Sequence, residues 1–117
     1  MANPVPAASG SSRLVGIPSL PSRGRAHCRG YVSSVTVVPA NEPPRYTAMV
    51  EEAASAYGTT SNVPRHRVRL VWVGQRRVPG IDAGTSLAFE GMVSQVDGYP
   101  TIFNPRYEII GRPEADA

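Results

Sequence analysis

Between residues 65 and 77 stand Arg65, Arg67, Arg69, Arg76 and Arg77, with no acidic residue among them. Guanidinium groups stay charged at every physiological pH and fork onto phosphate oxygens, so a cluster of this kind suits a polyanion. Trp72 lies inside the same stretch, and Tyr99 and Phe103 follow downstream. A flat ring beside a basic groove can stack on an unpaired nucleobase, which is worth roughly 1–3 kcal/mol per base. Arg45 lies on a separate extended stretch and would flank the group, with Thr47 beside it and Ser34 and Thr36 on the stretch before. The chemistry these residues offer is binding.

Catalytic arrangements are missing or weak. Two histidines and one cysteine cannot fill a zinc site without carboxylates, and His27 and Cys28, being adjacent, point to opposite sides of a strand. Glu51 and Glu52 diverge for the same reason. There is no Gly-x-Ser-x-Gly elbow, no glycine-rich phosphate loop and no His-Glu-x-x-His, and His66 between two arginines belongs with the basic face. All 12 basic residues are arginine. A GC-rich genome produces the same bias, but without lysine there is no Schiff base, no pyridoxal phosphate anchor and no Walker A lysine. A nuclease would need a cluster of carboxylates, and the acids are scattered. We therefore expect no enzyme activity, no metal and no cofactor.

The elements that would position these residues are strands. In RVRLVWV, Val68, Leu70 and Trp72 alternate with Arg67, Arg69, Val71 and Val73, which predicts a strand from Arg65 or Arg67 to Val73 with arginines on its outer side. Leu87, Phe89, Gly91 and Val93 alternate with Ser86, Ala88, Glu90 and Met92 in the next strand. Asp97-Gly98 supplies a two-residue hairpin turn, and Thr101, Ile102 and Phe103 resume the extension. Upstream, Ala26 to Val38 reads as a first strand in which Val32, Val35 and Val37 share a face only if a bulge falls at Ser33-Ser34. Arg45 to Val50 forms a second, with Tyr46, Ala48 and Val50 inward. Gly74 to Gly84 leaves no room for a normal helix, so a tight turn should set Val78 and Ile81 under the core. Glu51 to Tyr57 predicts a short helical turn, and Tyr107 to Ile110 one last pleat.

With 117 residues and 41% hydrophobic side chains, the chain makes one small soluble domain. No apolar run approaches the roughly 20 residues of a membrane helix, and one cysteine makes no internal disulfide, so a reducing, cytoplasmic setting is expected. Residues 1–25, rich in Pro, Ser and Gly, predict a disordered amino-terminal arm; residues 26–111 the folded domain; residues 112–117 a flexible tail. The formal charge is +3, with the amino-terminal arginines and the 65–77 block as its two basic regions.

Five short strands, the first bent, with a reduced third-to-fourth connection and a hairpin between the last two, describe an OB-fold barrel, an all-β class. VRLVWVGQRRVPGIDAGTSLAFEGMVS followed by IFNPRYEI resembles the small stand-alone OB-fold nucleic-acid-binding proteins of high-GC Gram-positive bacteria. More distantly, Leu70 to Gly74, Pro79 to Gly84 and Asn104 to Glu108 are similar to the wedge OB domain of RecG-type helicases. The resemblance runs from Tyr31 to Ile110 and departs at Glu51 to His66, longer here and without an Asp-Gly turn. It implies a module that binds single-stranded DNA or RNA with little sequence preference, or a protein-interaction module as the alternative. Its contacts would be Arg45, Arg67, Arg69, Trp72, Arg76, Arg77, Tyr99 and Phe103. For Trp72 two readings stand: alternation puts it in the core with Leu70, and a place at the barrel mouth would let it stack on a base. Tyr107 is expected to lock the fifth strand to the barrel.

Overall fold

The computed structural model describes residues 14–52 and 66–112. The first half of the arm, the helical turn beyond Glu52, Arg65 and the tail beyond Arg112 lie outside these residues. Among the described residues seven strands run β1 (Leu14–Val15), β2 (Gly24–Val37), β3 (Arg45–Glu51), β4 (Arg67–Val73), β5 (Ser86–Val96), β6 (Tyr99–Phe103) and β7 (Arg106–Gly111). A 3₁₀ turn at Ile17–Ser19 follows β1, and the described residues contain no α-helix. No helix among them is long and apolar enough to cross a membrane.

The five strands expected from alternation are β2 to β6, and they close on themselves. β2 pairs with β3, β3 with β4, β4 with β6, β6 with β5, and β5 again with β2. Only the β4–β6 contact within this ring is parallel. The inward rows are those that the period of two predicts: Tyr46, Ala48 and Val50 from β3, Val68, Leu70 and Trp72 from β4, and Leu87, Phe89 and Val93 from β5 are all buried.

Local sequence sets the bends. The β2–β3 register slips between Val32 and Ser34, so the bulge falls at Ser33, whose hydroxyl donates to the Met49 carbonyl at 3.1 Å. Asp97 (φ 54°) and Gly98 (φ 82°) both lie in the left-handed region, as a two-residue hairpin turn of this hand requires. Between β4 and β5 the chain makes tight turns rather than a helix, and Val78 and Ile81 are buried at the bottom of the ring. Tyr46 fastens that plug by donating its hydroxyl to the Ile81 carbonyl at 2.6 Å, and burial raises the phenol pKa, with Asp82 adding to the effect. Tyr46→Phe leaves that carbonyl without its partner and is expected to cost about 1–3 kcal/mol in chemical denaturation, with the far-ultraviolet spectrum unchanged.

Two features differ from the sequence reading. Residues 14–25 are not a disordered arm: β1 pairs in parallel with His27 and Cys28 of β2, and Ile17 is buried in the core. Two residues of pairing carry no periodic signal, and the surrounding prolines conceal the apolar anchors, buried Ile17 and partly buried Leu20. The last pleat is longer than expected and lies beside β5 outside the ring, with Asn104 at φ 51° turning the chain into it. Tyr107 on this strand sets its ring edge-on against Trp72, 5.6 Å between centroids. Cys28 is fully buried, and burial pushes its thiol up to about 11, which leaves it protonated and inert at neutral pH.

Candidate nucleic-acid interface

Because Val68, Leu70 and Trp72 point inward, Arg67, Arg69, Val71 and Val73 form the outer side of β4. Register builds rows across that face: Met49, Arg69 and Thr101 in one, Thr47, Val71 and Phe103 in the next, then Arg45 beside Val73. Arg45, Thr47, Arg69, Val71, Asp97 and Phe103 enclose a shallow groove of about 260 Å3. Phe103 is 48% exposed and shares the lining of this groove with both arginines.

Arg69 is held rather than free. Its Nη2 donates to the Val96 carbonyl at 3.2 Å, and its guanidinium carbon lies 4.9 Å from the centroid of the Tyr99 ring, a cation–π contact. Its Nε is buried without a hydrogen-bond partner among the described residues. The arginine therefore ties the β5–β6 hairpin to β4 and presents a fixed positive charge to the groove. Arg45 at the opposite side is exposed. Asp97 places one carboxylate in the same lining, so the groove carries two guanidinium groups against one acid.

The remaining predicted contacts separate from this groove. Trp72 is only 3% exposed, lying between Tyr46 and Tyr107, so its indole offers no face to a base and it leaves the set of contacts. Arg67 sits 3.6 Å from a Glu51 carboxylate oxygen, its register partner across β3–β4, and this carboxylate already meets part of its charge. Arg76 is a clamp: it donates to the carbonyls of Pro39 at 3.1 Å, Ala40 at 3.0 Å and Glu42 at 2.8 Å, fixing the β2–β3 loop against the β4–β5 loop. Arg77 is exposed in the same connection, where its charge reaches the Tyr46 phenol. Tyr99 is 37% exposed and lines a second, larger cavity of about 540 Å3 together with Arg67, Gln95, Leu20 and Pro100. Gln95 closes the side of this cavity by donating to the Ser22 carbonyl at 3.0 Å.

Of the residues singled out from sequence, the structure brings Arg45, Arg69 and Phe103 together in the groove and sets Tyr99 in the neighbouring cavity, whereas Val71, Gln95 and the 17–22 segment were not singled out. Val71 was legible, since it shares the outer phase of Arg69. The segment was not, because its contact partners lie across the hairpin. Among the described residues no group of three His, Cys, Asp or Glu side chains could hold a metal ion. No protein-family model matches the chain, and no curated protein matches it either.

Proposed function

We propose that the five-strand ring is an OB-fold barrel, and that its outer face over β3, β4 and β6 binds single-stranded DNA or RNA with little sequence preference and without catalysis. Two features support the barrel: the order β2-β3-β4-β6-β5 closed by β2–β5, and the parallel contact of the third and fifth ring strands. The binding reading rests on one observation: Phe103, an apolar ring left in water, lines the same groove as Arg45 and the fixed charge of Arg69. That pairing of stacking surface and cation is what a single strand needs, a base for the ring and a phosphate for each guanidinium. The resemblance to small OB-fold nucleic-acid-binding proteins points the same way.

The test is anisotropy of a labelled oligonucleotide across a salt series. The wild-type chain should lose affinity as salt rises, and Arg45→Ala should flatten the log–log slope by about 0.7, the value for one phosphate contact on a single strand. Phe103→Ala should weaken binding by about 1–3 kcal/mol at every salt concentration without changing the slope. Both side chains are exposed, so neither change should move stability by more than about 0.5 kcal/mol. Failure of the wild-type chain to bind any oligonucleotide at low salt would refute the reading.

A further inference from the structure

The cavity of about 540 Å3 beside Tyr99 has a composition unlike that of the groove. Its walls are Ile17, Leu20 and three prolines, Pro18, Pro21 and Pro100, with the Tyr99 ring along one side. The polar lining is Ser22, Gln95, which already donates to the Ser22 carbonyl, and Arg67 and His66. Each of these last two has a carboxylate nearby. Arg67 lies 3.6 Å from Glu51, and His66 Nδ1 lies 2.9 Å from Glu52. Both basic side chains thus already have a carboxylate beside them, so the site has less to offer an anion than the groove does. It suits an uncharged, flat, mostly apolar occupant, and its size falls within the ~300–1,000 Å3 typical of small-molecule sites.

Continuity decides which occupant. Arg69 lines the groove and rests on the Tyr99 ring, while Tyr99 lines the cavity and Arg69 does not. The Arg69–Tyr99 stack is therefore the partition between the two spaces. A strand whose phosphates lie along Arg45 and Arg69 passes over this partition, and the next base meets an apolar cavity with a ring for a wall.

We infer that the cavity takes one nucleobase of the bound strand, swung out from the groove and stacked on Tyr99, with the 17–22 segment as its outer wall. This rests on the single-strand reading of the groove. The base enters uncharged, so its contribution is insensitive to salt, in contrast with that of Arg45.

The experiment is a chemical-shift titration of the full-length chain with a thymidine oligonucleotide long enough to cross both spaces, followed at the Leu20 methyls and the Gln95 side-chain amide. Ring-current shifts at Leu20 and a shift of the Gln95 amide, saturating together with the Phe103 ring signals, are expected. Ser22→Trp, which sets a bulky ring at the cavity mouth, should weaken binding about tenfold while leaving the salt slope unchanged. If Phe103 responds while Leu20 and Gln95 stay still, the cavity inference falls and the groove reading stands. If none of them responds, both fall. Saturation of the cavity signals by free thymidine monophosphate at micromolar concentration would make the cavity a small-molecule site and overturn its place on a strand.

Discussion

Trp72→Ala is expected to lower the stability of the fold by about 3–5 kcal/mol. The indole is buried at the inner end of β4, facing Tyr46 at 6.3 Å between centroids and Tyr107 at 5.6 Å, so it joins β3, β4 and β7 through one side chain. Truncation removes the apolar area and leaves a cavity that the surrounding strands, fixed by their ladders, cannot collapse to fill. Small domains are stable by about 5–15 kcal/mol in total, so the variant should stand close to unfolding at room temperature. Denaturation followed by circular dichroism measures this, since the sole tryptophan is lost. A variant that kept its wild-type midpoint yet failed to bind oligonucleotide would place the indole at an open mouth instead.

Gly30→Ala should be almost as damaging for a methyl group. A Cβ at this position would lie 2.5 Å from the Glu51 carbonyl oxygen, 2.6 Å from Val50 Cγ1 and 3.0 Å from Ile17 Cδ1. The first of these is backbone and cannot step aside without disturbing the end of β3. Overpacking of this kind typically costs about 1–3 kcal/mol, and for a domain of this size each kcal/mol lowers the melting temperature by roughly 4–8 °C. Gly16→Ala is the control: its nearest neighbour would be Pro18 Cδ at 3.5 Å, an ordinary contact, and its φ of −80° suits any residue. Equal melting temperatures for the two variants would contradict the close approach of β2, β3 and the Ile17 turn. Because Glu51 faces Arg67, any shift of that strand end also displaces the rim of the Tyr99 cavity.

The ring was legible because its strands obey a strict period and its turns use residues with few alternatives. Val68, Leu70 and Trp72 can only be buried together, Asp97-Gly98 accepts the backbone a tight hairpin needs, and the three-residue step from Val32 to Val35 demands an extra residue at Ser33. The site was less legible, since a charge pattern says which side a group is on but not what it touches there. Once Arg45 is set opposite Val73, antiparallel register places Glu51 opposite Arg67, so that ion pair could have been derived. The Arg76 clamp could not, because its acceptors are three carbonyls of a loop whose course no periodicity describes. The same holds for the β1 pairing, which is too short to leave a pattern.

The order of strands around the ring constrains how the chain can be made. β6 is the last of its members in sequence, yet it occupies the place between β4 and β5 and is hydrogen-bonded to both. A nascent chain that has emerged only as far as Val96 therefore holds two strand edges open on either side of a gap, and the core behind them stays wet. Only β6 can fill that gap, so the strand that carries Phe103 to the proposed binding face is also the one that completes the wall.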